Sequence, residues 1–173
     1  GNHRFSEDLE DWQQEYRSRV PIRILNDGSH SENDRLGAVG DMAFGVEQVP
    51  PGAEDWLVIA GDNLLEFDLL STQQHFLKQR CPTLVVRERT PEPPGPSRYN
   101  EVHLAPDATV TVFTEKPDQP TSPLAAIAVY FFTTEVVTRL REFLSQEGAS
   151  PDAPGHFIAW LVGQTRVTAA PLH

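Results

Sequence analysis

The stretch Trp56-Leu-Val-Ile-Ala-Gly-Asp-Asn63 constrains this chain most. Trp56 to Ala60 run apolar without a polar break. That predicts a strand buried on both faces, as strands are inside a parallel sheet. Gly61-Asp62-Asn63 then ends the run, and these are ordinary turn residues. In an open α/β sheet, however, ligands bind just beyond the carboxyl ends of strands, so an acid there is also a candidate metal or phosphate-site residue. The stretch alone leaves both readings standing.

The flanking sequence alternates helix and strand patterns. Phe5, Leu9, Trp12 and Tyr16 follow Asn2 at spacings that put them on one helical face. Val20 to Leu25 reads as a strand and Asn26 to Asn33 as a loop. A helix carrying Met42, Phe44 and Val46 follows and stops at Pro50-Pro-Gly52. Beyond Asn63, a helix is expected over about 68–80, with Asp68 as its N-cap and Leu69, Leu70, Gln73, Phe76 and Leu77 on its buried side. Thr83 to Arg87 is the next strand. This order predicts a mostly parallel α/β sheet.

Thr90 to Ser97 is a Pro-rich loop. Tyr99 to Leu104 and Thr109 to Phe113 read as paired strands around the turn Ala105–Ala108. Leu124 to Phe132 is a second unbroken apolar strand. Thr133 or Thr134 caps a helix with Val136, Val137, Leu140, Phe143 and Leu144. Glu147 to Gly155 is a loop, His156 to Val162 a short helix, and Thr165 to Ala169 a last strand.

Composition narrows the function. The 173 residues carry a net charge of −11, which argues against nucleic-acid binding, a task that calls for a basic stripe. Phosphate ligands stay open, because backbone N–H groups or Mg²⁺ hold them. Cys81 is the sole cysteine, so no disulfide forms within the chain, and a cytoplasmic setting fits. No apolar run is long enough to span a membrane. His3, His30, His75, His103, His156 and His173 show no metal-binding spacing. No nucleophile elbow or Walker A loop is present.

Four places could carry chemistry, each at a strand end or helix start. Leu36-Gly-Ala-Val-Gly40 feeds a helix; Gly37 and Gly40 would let a ligand approach the backbone, and the same glycines also serve plain turn geometry. Gly61-Asp62 offers one carboxylate for Mg²⁺. Glu115-Lys116 pairs an acid for sugar hydroxyls with an ammonium for phosphate, and it also reads as an exposed charged pair. The small residues of Ala126-Ile-Ala-Val-Tyr130 permit a ligand against a buried strand, or simply pack.

The order and spacing of these places resemble the sugar-1-phosphate nucleotidylyltransferases, the glucose-1-phosphate thymidylyltransferase and mannose-1-phosphate guanylyltransferase group. Arg35–Gly40 looks like the family's Leu-Gly-Thr-Ala-Gly turn. Val58–Asn63 looks like its Gly-Asp strand end, and Arg98-Tyr99-Asn100 like its Arg-Tyr-Gly segment. Phe113–Pro117 matches its Glu-Lys-Pro element. Ala126–Tyr130 sits where the family has Asn-Ala-Gly-Ile-Tyr. The likeness runs through most of residues 1–170.

The resemblance implies a Rossmann-like, three-layer α/β nucleotide-diphospho-sugar transferase fold. It spans one domain over 1–173 and is expected to be incomplete at both ends. The family's glycine-rich triphosphate loop and its second metal-binding aspartate have no counterpart here, so this chain alone is expected to be inactive. The resemblance further implies nucleotide contacts at Leu36, Gly37, Gly40 and Gly61, and Mg²⁺ at Asp62. Sugar phosphate would meet Tyr99, Asn100, Glu115, Lys116, Ala128 and Tyr130, with Asp62 and Lys116 catalytic. Asn100 and Ala128 each replace a family glycine and are expected to add bulk near the sugar. Implied partners are a nucleoside triphosphate and a sugar 1-phosphate, without nucleic acid or membrane, and a homo-oligomer is compatible. The alternatives are a non-catalytic sugar-nucleotide-binding or regulatory module, and a nucleotidyl transferase for another acceptor.

Overall fold

Ten consecutive residues, Leu124–Thr133, form β5, the longest strand and the one that reaches most of the sheet. The computed structural model describes all residues except 1, 2, 51, 53, 54, 91, 94, 172 and 173. Asn2 at the start, Pro51 of the expected break, Pro91 and Pro94 of the Pro-rich loop, and His173 therefore lie outside the described residues. In chain order the elements are α1 (Ser6–Glu15), α2 (Gly37–Glu47), β1 (Asp55–Ile59), α3 (Leu70–Gln79), β2 (Thr83–Glu88), β3 (Glu101–Leu104) and β4 (Val110–Thr114). After β5 come α4 (Thr134–Leu144), α5 (Pro154–Val162) and β6 (Thr168–Pro171).

The sheet runs β4-β3-β5-β2-β6, with β1 also on β5. One edge of β5 pairs with β2. The other pairs with β1 at Val129–Thr133 and with β3 at Leu124. The expected α/β class is what the chain forms, but the pairing sense differs from a mostly parallel sheet. Among the described strand pairs only β2–β6 is parallel. The helix–strand alternation does set β1 and β2 in one direction. The reversed strand β5 then lies between them, and sequence order cannot reveal such a non-local insertion.

Side-chain alternation along β5 builds three layers. Ala126, Ala128, Tyr130 and Phe132 face a core made with α2, α4 and α5. Ile127, Val129 and Phe131 face the other way, onto Phe76 of α3 and the segment Leu65–Leu69. β2 divides likewise, Leu84 and Val86 to one side and Val85 to the other. On the larger core, Phe157 of α5 lies edge-on to Phe132 and Phe143 at 6.0 and 5.6 Å between ring centroids.

β1 departs from expectation. Trp56 and Val58 pack on the larger core, but Leu57 and Ile59 are 45% and 42% exposed. The apolar run marks a strand covered on one face, not two. Val20–Leu25 forms no strand; its Ile22 carbonyl accepts from the Gln13 side chain of α1 instead. α1 forms as expected, yet Phe5, Trp12 and Tyr16 on its apolar face are exposed, and Trp12 stacks on Tyr16 instead. On α3, Thr72 and Phe76 are buried while Leu70, Gln73 and Leu77 face outward. Asp68 does accept a hydrogen bond from the Leu70 amide at 2.6 Å, close to the expected capping role. No helix among the described residues is long and apolar enough to cross a membrane.

These burials set a contrast in stability. Phe157→Ala should lower the free energy of unfolding by about 3–5 kcal/mol. Leu57→Ser should change it by no more than about 0.5 kcal/mol. Urea denaturation measures both, and equal losses would show that β1 is covered on both faces in solution.

Candidate active site

A cleft of about 380 Å³ opens at the carboxyl end of β1, a size that suits a small ligand. Ala38, Asp41 and Met42 of α2 form one wall. Val58 to Gly61 run along the rim, Ala128 and Tyr130 form the floor, and Pro154 starts α5 at the far side. Gly61, Ala128 and Tyr130 are thus brought together. Asp62 follows Gly61 in the turn, exposed, and its carboxylate makes no hydrogen bond or ion pair among the described residues.

Two asparagines secure this end of the sheet. The Asn63 carboxamide donates to the Ala60 and Ala128 carbonyls at 3.2 and 3.5 Å, while the Ala60 amide also donates to Ala128 at 2.9 Å. These bonds fix the turn that carries Asp62 against β5. At the other end of the floor, Asn100 does the same for Ala126. Its Nδ2 donates to the Ala126 carbonyl at 3.0 Å, and its Oδ1 accepts from the Ala126 amide at 2.7 Å. The Asn100 side chain therefore turns into the sheet rather than adding bulk over a ligand.

Glu115 and Lys116 leave β4 at its end. Lys116 is exposed and has φ of 45°, a backbone state uncommon for residues other than glycine. Glu115 is half-buried and lies against Gly155, the second residue of α5, where an added Cβ would overlap its carboxylate. A helix N-terminus favours such a negative charge. Tyr130 is buried and its phenol is pushed far up, first by burial and then by the charge of Glu115. It therefore stays neutral, a hydroxyl rather than an anion, beside that carboxylate.

The expected nucleotide turn divides. Gly37 has φ of 75°, and a Cβ there would come within 2.7 Å of the Pro151 backbone. Its freedom is used to dock α2 on the 149–153 loop, where the Val39 amide also donates to the Pro151 carbonyl at 2.8 Å. Gly37 lines an adjoining hollow that shares Ala38 and Asp41 with the cleft. Leu36 and Gly40 face a separate groove beside Arg141 and Leu144 of α4. Tyr99 lies under the Arg87 guanidinium, 5.0 Å from its ring centroid, near the Asn100 end of the floor.

Sequence reasoning missed three residues. Gly155 reads as the end of a loop, and only its contact with Glu115 gives it a role. Asp41 and Asp27 share a hydrogen bond between α2 and the 26–34 loop. They are far apart in sequence and carry no local signal. Burial, then the Asp27 hydrogen bond, then the Asp27 charge raise the Asp41 carboxyl. Burial also pushes Asp27 up, but the Ser29 hydroxyl and amide, with Asp41, outweigh it and hold it low. Glu32, Arg35 and Asp152 line the same hollow, and Arg35 pairs with Glu32 at 2.8 Å and Asp152 at 3.4 Å.

Comparison with known proteins gives the family. A family profile described as Nucleotidyl transferase matches residues 2–170. A glucose-1-phosphate adenylyltransferase of Clostridium novyi (strain NT) is 26% identical over 141 residues, covering 81% of this chain and 35% of that protein. Another, from Thermomicrobium roseum, is 31% identical over 101 residues, covering 58% of this chain and 22% of that protein. The chain thus spans about a third or less of the curated relatives it matches. Among solved structures, a putative glucose-1-phosphate thymidylyltransferase from Bacillus anthracis, in complex with a sucrose, superposes with a TM-score of 0.68. It is 17% identical, and the match covers 86% of this chain and 56% of that one.

The Asp27–Asp41 pair makes stability depend on pH. The Asp41 contribution is fully present below the ordinary value of 3.8 and is lost as pH rises through the higher folded value. The Asp27 contribution runs the other way, present above 3.8 and lost as pH falls through its lower folded value. Asp41→Asn keeps a donor to Asp27 without the second charge. It should raise the urea midpoint at about pH 8 and leave no gain at about pH 3. A gain of equal size at both pH values would mean that the two carboxyls do not share a proton.

Proposed function

The chain belongs to the nucleotidyl transferase family, and from that premise we propose that it forms the core of an enzyme joining a nucleoside triphosphate to a sugar 1-phosphate. A phosphate oxygen of the sugar phosphate attacks the α-phosphorus. The bond from that phosphorus to the bridging oxygen breaks, and diphosphate leaves. The observation that carries this reading is the cleft at the end of β1, with Gly61 on its rim, Ala128 and Tyr130 as its floor, and Asp62 in the turn directly after the rim. Both curated relatives are glucose-1-phosphate adenylyltransferases, which favours a hexose phosphate as acceptor.

No protein nucleophile is needed, since positioning and charge neutralisation dominate such transfers. Asp62 is the residue that would hold Mg²⁺. Its exposed, unpartnered carboxylate suits a hard cation that takes its remaining ligands from phosphates and water. Mg²⁺ there would supply charge neutralisation on the phosphates. Glu115, held against α5, is placed to accept from sugar hydroxyls. Lys116, exposed in its turn, offsets phosphate charge. Tyr130, kept neutral, offers an apolar ring and a hydroxyl to the floor.

The test combines the longest gene product that carries this chain with Mg²⁺, each nucleoside triphosphate in turn and a panel of sugar 1-phosphates, reading released diphosphate. Asp62→Asn should lower metal-dependent turnover about a hundredfold or more. Glu115→Gln should raise KM for the sugar phosphate and leave that for the nucleotide near its starting value. Turnover indifferent to Asp62→Asn would remove the metal role, and absence of diphosphate release throughout the panel would remove the transferase reading.

A further inference from the structure

The loops on either side of the β3–β4 hairpin are tied to each other twice. The Arg89 amide donates to the Pro123 carbonyl at 2.7 Å, and the Ser97 amide donates to the Pro117 carbonyl at 2.9 Å. Between these ties the loops part and leave a cavity of about 700 Å³. It is larger than the cleft of about 380 Å³ at the end of β1 and shares no lining residue with it. Pro93 and Pro96 line it from the first loop, and Pro120 from the second. Backbone bonds at both ends fix the walls before any ligand arrives, so the space is preformed.

Arg89 and Glu92 also line this cavity, with side chains only 8% and 10% exposed. Arg89 Nη2 donates to Glu92 at 2.6 Å and to the Ser97 hydroxyl at 2.7 Å, and the Arg98 amide donates to Glu92 at 2.9 Å. The Ser97 hydroxyl first, then the Arg98 amide and the guanidinium, outweigh burial and hold the Glu92 carboxyl at about 2. Glu92 is therefore an anion at neutral pH. Arg89 Nε, in contrast, is buried and has no hydrogen-bond partner among the described residues. A desolvated donor of this kind is costly until an acceptor reaches it. On the second loop, Asp118 and Gln119 line the cavity and are exposed, and their side chains make no hydrogen bond or ion pair among the described residues.

These groups select a ligand class. A phosphate or carboxylate near Arg89 would lie beside the Glu92 charge and share the cavity with Asp118, so like charge opposes an anion. An ammonium would find Asp118 but carries no acceptor for the Arg89 donor. A hydroxyl accepts from Arg89 and donates to Asp118, and Gln119 serves it in either role. Three proline rings supply apolar surface between these polar groups, the mixture that small-molecule sites use. We propose that this cavity is a second ligand site, which takes a neutral saccharide about the size of a disaccharide, its hydroxyls held by Arg89, Asp118 and Gln119. The site shares no residue with the transferase reading and does not depend on it.

The test uses the longest gene product that carries this chain, labelled for amide NMR, with maltose as the probe. At about 10 mM, where a millimolar ligand nearly saturates, maltose should shift the amides of Gly95, Gln119 and Ser122 and leave those of Gly61 and Ala128 in place. Inorganic phosphate should leave the first three in place. Asp118→Ala and Gln119→Ala should each weaken maltose binding about tenfold, the equivalent of one hydrogen bond. Melting temperature should stay unchanged in both, since neither side chain has a partner to lose. No shift with maltose, shifts confined to Gly61 and Ala128, a response to phosphate at Gly95 and Gln119, or binding indifferent to both substitutions would each overturn the proposal. Diphosphate release reports on the cleft at the end of β1 alone, so the two readings fail separately.

Discussion

The burial of β5 on both faces is the constraint on which the rest of the structure depends. Its even-numbered residues from 126 to 132 and its odd-numbered residues from 127 to 131 enter two different cores, so one strand joins both helical layers to the sheet. A strand of this kind must find main-chain partners on both edges, because unpaired backbone groups away from water are costly. β2 satisfies one edge along much of its length. The other edge is shared by β1 and β3, which reach it at opposite ends. Residues 125–127 of that edge are left outside both ladders, and Ala128 is met in the main chain only by the Ala60 amide just past β1.

The candidate site grows out of that shortfall. Two strands that meet one edge at different ends must diverge between them, and the divergence opens space above the floor. The backbone groups exposed there still need partners. The Ala60 amide and the Asn63 carboxamide serve Ala128, and the Asn100 carboxamide serves Ala126. The cleft opens next to this point, where β1 still pairs with β5, and side chains complete the bonding the ladder leaves open. The small residues Ala126 and Ala128 let those carboxamides reach the strand.

Legibility in the sequence follows the same physics. Leu124–Phe132 and Thr83–Arg87 were readable because burial on two faces leaves an unbroken apolar run. Trp56–Ala60 carries the same signature with a different cause: Trp56 and Val58 are core, whereas Leu57 and Ile59 are exposed apolar residues on an uncovered face. Periodicity cannot tell these cases apart. Val20–Leu25 has strand-like residues but joins no strand, and strand pairing is a tertiary property. Gly61 was legible as a candidate because a strand end is a position defined along the chain, and Ala128 and Tyr130, inside β5, line the same cleft. The Asp27–Asp41 contact and the Glu115–Gly155 contact join distant segments and left no local trace. Asn100 was legible as a position but not in direction; whether a side chain faces ligand or sheet is decided by the register of β3 against β5.

Charge sets the last condition on how such a site works. The chain carries −11 overall, and Asp41, Asp62 and Glu115 all lie in or beside the cleft. A phosphate brought there meets like charge, which is costly in a partly desolvated cleft. Two features reduce that cost, and a third leaves a charge to be met. Burial and the neighbouring Asp27 raise the Asp41 carboxyl, which favours its neutral form on the wall. Glu115 rests on the N-terminal end of α5, where the helix dipole offsets its charge. Asp62 remains exposed and without a protein partner, so its charge is the one still to be balanced. Under the transferase reading a cation balances it and brings the phosphates with it. The arrangement then couples ligand to metal: the acid that would repel a phosphate alone becomes the group that recruits it with its counter-ion.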